Sequence, residues 1–173
     1  MTLYRYKGTE PKLGSGSYVS DSADVIGRVT LGRESSIWFN CVLRGDINDI
    51  IIGDETNIQD LSVLHVVEAL PLHIGHQVTI GHKVTLHACT IEDNCLIGMG
   101  AIILDGARIR KNSLVAAGSV VPPGKDYPEE SLIMGSPAKV VRRLNPEEIE
   151  KYGQHYLTYV QAKDSFINHC EKI

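Results

Sequence analysis

Large aromatic side chains are scarce in this chain: two Phe and one Trp, with aromatics at 6% overall. A core built without rings must rely on small and branched aliphatics, which points to narrow, layered packing rather than one thick core. Long apolar runs are missing as well. None approaches the roughly 18 residues needed to cross a bilayer, and MTLYRYKGTEPKLG at the N-terminus lacks the apolar stretch of a signal peptide. There is no block of like charge, and the net charge is only −4, so neither nucleic acid nor an anionic membrane is expected as a partner. Cys41, Cys89, Cys95 and Cys170 show no CxxC spacing. That argues against a disulfide framework or a sulfur-ligated metal and for a reducing, cytoplasmic setting. What remains is 173 residues of ordinary composition, the size of one soluble domain.

A repeat of six residues runs through most of it. Aliphatics fall at Val19, Val25, Leu31, Ile37 and Leu43, then at Ile52, Ile58 and Leu64, then at Ile74, Ile80 and Leu86. A last run covers Ile91, Ile97, Ile103, Ile109, Val115 and Val121. Two residues before each of these positions stands a small or branched side chain, among them Ala23, Ser35, Ser62, Ala101 and Ser119. Three of the four cysteines, Cys41, Cys89 and Cys95, occupy that slot and read as packed thiols. A period of six fits neither a 3.6-residue helix nor one long alternating strand. It fits a short strand and a corner, repeated around a triangular coil, three hexapeptides to a turn. Seventeen aliphatic positions predict between five and six coils.

The period breaks three times. Leu43 to Ile52 is three residues too long, Leu64 to Ile74 four too long, and Leu86 to Ile91 one too short. Insertions in a solenoid are expected to leave the coil as loops, which commonly carry function. The expected organisation is an N-terminal segment over 1–16, a β-solenoid over 17–122, a connector over 123–144 and a helix over 145–173. Asn145-Pro146-Glu147-Glu148 reads as the helix start. Ile149, Tyr152, Tyr156, Tyr159, Val160, Lys163, Phe166 and Ile167 mark one broad face of that helix.

Numbering by repeat position gives a rough contact map. Leu43, Leu64 and Leu86 lie three hexapeptides apart, so the residues after them, Arg44, His65 and His87, should stack about 4.8 Å apart in successive coils. Ile58 and Ile80 form a second column, which sets Asp60 beside His82. His82 therefore points from a different face. One chain could hardly bring all three imidazoles to one ion, whereas solenoids packed side by side in a threefold ring could. Three imidazoles with an open fourth position is the ligand pattern of a catalytic zinc site. His73, His76, His155 and His169 are expected to be structural or surface residues.

Leu43-Arg44-Gly45-Asp46, Asn57-Ile58-Gln59-Asp60, His65 with Glu68, and Ile80-Gly81-His82 through Leu86-His87 resemble the γ-class carbonic anhydrase family, as does Gly135-Ser136-Pro137-Ala138-Lys139. The similarity spans nearly the whole chain. It implies an all-β, single-stranded left-handed β-helix with a C-terminal α-helix. It also implies a homotrimer and a Zn2+ ion (Fe2+ or Co2+ being possible) held by His65, His82 and His87 across a subunit interface. The activity implied is reversible hydration of CO2 to bicarbonate by a metal-bound hydroxide. In that reading Arg44 pairs with Asp60 across or beside the interface, and Gln59 hydrogen-bonds the metal-bound water or bicarbonate. Asp46 and Asn57 belong to the polar surround. Glu68 is the candidate proton shuttle, although the long acidic loop of the archetype is replaced by the short segment 66–73. Tyr159 is a candidate for closing over the site from a neighbouring chain. Two alternatives stay open: a catalytically silent metal-binding scaffold or assembly subunit, and an acyl-CoA-dependent transferase on the same solenoid with His as general base.

Overall fold

The computed structural model describes residues 2–173. Short parallel strands separated by tight corners stack in three columns. The first column passes through residues 24–27 and 42–45, then Val63–His65, Thr85–His87, Ile102–Ile103 and Val120–Val121. The second passes through residues 50–52, then Leu72–Ile74, Thr90–Ile91, Arg108–Ile109 and Asp126–Tyr127. The third starts at Tyr18–Val19 and ends at Ser131–Gly135, with Ser36–Ile37, Asn57–Ile58, Thr79–Ile80, Leu96–Ile97 and Leu114–Val115 between.

The aliphatic positions of the repeat fill the coil: Val25, Ile37, Leu43, Ile58, Leu64, Ile80, Leu86, Ile97 and Ile103 are all 0% exposed. Packed among them, the thiols are held protonated. Burial pushes Cys41 up to about 11 and Cys95 up to about 12, and it raises Cys89 as well. The packed-thiol reading of these cysteines holds.

The solenoid is longer than the sequence indicates. The third sheet has eight strands, of which only Ala138–Arg143 is antiparallel, leaving seven stacked coils rather than between five and six. The expected boundary at residue 122 is passed: Asp126–Tyr127 and Ser131–Gly135 continue the second and third columns, with Tyr127 and Ile133 buried at inward positions. The residues expected to form a connector instead complete the last coil, and Ala138–Arg143 folds back on it as a hairpin partner. A tyrosine at the repeat position and the Pro-rich corner around 122–123 hid this from the aliphatic count.

The insertions behave differently from each other. The one between Leu43 and Ile52 stays extended within a continuous strand, Val42–Ile52, and does not leave the coil as a loop. The one between Leu64 and Ile74 does leave it, as a tight turn closed by Val67 and Leu70. Asn48 ties the two together by donating from Nδ2 to the carbonyls of Val67 and Glu68 at 3.2 and 3.0 Å.

The helical region is in two pieces, α1 (Pro146–Gly153) and α2 (Tyr156–His169). Asn145 caps α1 as its sequence suggests, in a reciprocal box with Glu148. Helix α2 docks on the third face of its own solenoid through Trp38, which meets Phe166 at 5.0 Å and Tyr159 at 5.4 Å between ring centroids. Lys163 lies under the helix, 1% exposed, its ammonium 2.6 Å from both Glu34 Oε2 and Asp164 Oδ1. Ile167, expected on the packed face, is 54% exposed. No helix among the described residues is long and apolar enough to cross a membrane.

Candidate metal centre

Stacking does bring His65 and His87 into register, with Arg44 one coil below. Both imidazoles project outward at the end of the first column, because the flanking Leu64, Val66 and Leu86 point inward. His65 Nδ1 and His87 Nε2 stand 3.1 Å apart. The other nitrogen of each ring meets a carboxylate. His65 Nε2 lies 3.1 Å from Asp46 Oδ1, and His87 Nδ1 contacts Asp105 Oδ1. Arg44 pairs with Asp46, two residues along the same strand, so a continuous polar row runs Arg44, Asp46, His65, His87, Asp105. Although partial burial favours the neutral acid, the hydrogen bonds from Arg44 and His65 hold the Asp46 carboxyl below its ordinary value.

His82 occupies a corner between the third and first columns. The next residue, Lys83, has φ 59°, and its N–H donates to the Asp60 carbonyl while the His82 carbonyl accepts from Gly100, so the corner is locked above and below. Asp60 stands beside His82 as the column map requires, Oδ2 at 2.8 Å from Nδ1. The other oxygen, Oδ1, accepts from Phe39 N–H at 3.1 Å, which fixes the carboxylate plane. Asn57 and Gln59 flank this corner and are buried. Gln59 Nε2 donates to Asn57 Oδ1, and Asn57 Nδ2 donates to Thr79 Oγ1, each at 3.1 Å.

Three expectations need correction or refinement. Within the chain Arg44 pairs with Asp46 and not with Asp60, because two residues apart on one strand share a face whereas Asp60 lies around the corner. Tyr159 rests against Trp38 of its own solenoid, and burial followed by the Asp60 charge pushes its phenol pKa up. Glu68 is exposed at the turn after His65, where it and Asp46 line an open groove with Tyr6, Lys7, Arg28 and Ile47. Asp105, which holds His87, was not singled out from the sequence at all.

Among the described residues, no group of three or more His, Cys, Asp or Glu side chains stands close enough together to hold a metal ion. The donor chemistry nonetheless fits a divalent cation. Each of the three imidazoles has one nitrogen on a carboxylate, the arrangement in which an outer carboxylate fixes ring orientation and raises the basicity of the remaining nitrogen.

Fold and side chains together define a hexapeptide-repeat solenoid carrying carboxylate-oriented imidazoles on two edges of one face. Residues 89–123 match the family model described as the hexapeptide repeat of succinyl-transferase. A carbonic anhydrase from Geobacillus kaustophilus is 45% identical over 92% of this chain and 87% of its own length. The mitochondrial gamma carbonic anhydrase 2 of Arabidopsis thaliana is 42% identical over 92% of this chain, which spans 59% of that protein. Among solved structures, a hexapeptide transferase family protein from Anaplasma phagocytophilum superposes with a TM-score of 0.91 at 38% identity, covering 95% of this chain and 98% of that one. The chain belongs to the γ-class carbonic anhydrase family.

Proposed function

We propose that the protein catalyses the reversible hydration of CO2 to bicarbonate, at a divalent cation held by His65 and His87 of one chain and His82 of an adjacent copy in a closed homotrimer. The observation that carries this reading is the set of three imidazoles, each held on one nitrogen by Asp46, Asp60 or Asp105. Those residues sit on opposite edges of the first column, so a second copy laid against that face can supply what one chain lacks. Between the edges, the outward residues Val42, Val63, Thr85, Ile102 and Val120 lie in register from coil to coil, with Val63 43% exposed. A mostly apolar strip of this kind favours association, and threefold closure makes three equivalent sites.

Zinc, cobalt or ferrous iron suits three neutral imidazoles, and such a cation supplies the Lewis acidity that makes water a nucleophile near neutral pH. The chain's own residues do the rest. Gln59, braced by Asn57, presents an amide to orient the water or the bicarbonate. Asp46 and Arg44 keep His65 in place. Glu68, at the mouth of the groove that Asp46 floors, passes protons to solvent. Tyr159, with its phenol held protonated, acts as a hydrogen-bond donor rather than a base. The substrate is small and uncharged, so no deep pocket is needed.

One observation favours a second reading, a metal-bound scaffold without turnover. The turn after His65 is closed within four residues by Val67 and Leu70, leaving no room for an extended acidic relay. The deciding experiment is metal analysis of anaerobically purified protein, followed by stopped-flow CO2 hydration on the same sample. The enzymatic reading expects catalysis above buffer that scales with occupancy. A fully occupied protein with no activity would leave only the scaffold.

A further inference from the structure

Asp105 belongs to none of the short motifs that carry the carbonic anhydrase resemblance, yet it is the carboxylate that meets His87 at the end of the imidazole row. Its Oδ1 meets His87 Nδ1, and it does so from the following coil, across a corner rather than along a column. That corner is hydrogen-bonded to the coils on both sides. Gly106 N–H donates to the Ala88 carbonyl at 2.8 Å, and Gly124 N–H donates to the Asp105 carbonyl at 2.8 Å, so the backbone carrying the carboxylate is pinned from both sides. The flanking register is equally firm, with Thr85 opposite Ile102 and Leu86 opposite Ile103. No cation competes for the carboxylate: among the described residues, no arginine or lysine is paired with Asp105, and His87 is its one ion-pair partner.

We propose that Asp105 is a positioning residue for the metal centre: it fixes His87 as the Nδ1–H tautomer and turns Nε2 toward the cation. The inference rests on the reading of His87 as a ligand. The chemistry follows from the ring. A neutral imidazole carries one proton, and an anionic acceptor at Nδ1 decides that Nε2 keeps the lone pair. His87 Nε2 is the atom that faces His65, so the lone pair points to the place where the two rings converge. A side chain of this kind typically contributes ten- to hundredfold in metal affinity.

The same carboxylate could instead be a purely structural brace for the corner, and the two roles separate experimentally. Asp105→Asn and Asp105→Ala are made in the full chain, and zinc affinity is measured by competition with a chelator. Cobalt-substituted samples are compared by visible absorption, and thermal midpoints are recorded for the metal-free proteins. A positioning role predicts a ten- to hundredfold loss of zinc affinity and an altered cobalt spectrum, with metal-free midpoints close to that of the parent. Unchanged affinity with an unchanged spectrum overturns the proposal while leaving His87 as a ligand. Loss of affinity only in step with a falling metal-free midpoint also overturns it, in favour of the structural brace. If the parent itself binds neither metal, the reading of His87 fails and this inference falls with it, a result distinct from the other two.

Discussion

Asp60 offers two oxygens to two different jobs: Oδ1 takes the Phe39 amide and Oδ2 takes His82. Asp60→Asn keeps an acceptor for Phe39 but removes the charge beside His82, so its metal affinity should fall by about ten- to hundredfold with little change in folding. Chelator competition and a metal-free thermal midpoint check both halves of that statement. Glu148 gives a prediction of another kind. Hydrogen bonds from Arg142 and then from the Asn145 backbone hold its carboxyl down at about 2, from an ordinary 4.5. A depressed acid stabilises the fold above its unfolded value and loses that contribution as pH falls through its folded one. Anchoring of α1 should therefore weaken between pH 4.5 and about 2, and Glu148→Gln should remove that dependence in a circular-dichroism titration. At this scale the sequence was legible wherever side chains meet along a column. His65 above Arg44, His87 above His65 and Asp60 beside His82 all follow from counting sixes. The contacts that escaped are those made around a corner or along one strand. Asp105 falls in register with Ala88 and reaches back to His87 from there, and Arg44 turns to its own strand neighbour Asp46.

The second-column strands end in a ladder of glycines set by close approach. A Cβ built on Gly32 would lie 2.4 Å from the backbone of Gly53, and one on Gly53 would lie 2.5 Å from the backbone of Gly75. Neither neighbour can yield without disturbing the coil spacing. Gly53→Ala should accordingly cost about 1–3 kcal/mol or more, in the range of overpacked cores, and lower the urea midpoint without changing the ligands. A midpoint equal to the parent's would show that the corner relaxes freely. Repeat arithmetic made these elements readable because each strand needs only one inward aliphatic and one small residue. It gave no warning that Tyr127 could serve as an inward residue, nor that the helix would break at Gln154 and His155. The docking of α2 was legible as a broad face that includes the buried Lys163, but not as a ring cluster around Trp38.

At the scale of the whole molecule, the separation of His82 from His65 and His87 means that the proposed metal site requires assembly: each depends on the other. Along a single solenoid the two groups sit on different edges of a face, and no set of three ligands converges among the described residues. In the proposed threefold ring, each copy would lend one edge to its neighbour and complete every site at once. The most direct test is to prepare His65→Ala and His82→Ala proteins separately, then unfold and refold them together in equal amounts and measure bound metal. Each variant alone should be empty. In the mixture, a site is whole only where the His82→Ala chain supplies His65 and His87 and the His65→Ala chain supplies His82, so random assortment should restore roughly one site in four. A mixture as empty as its components, or either variant alone holding a full complement of metal, would contradict a site shared between chains.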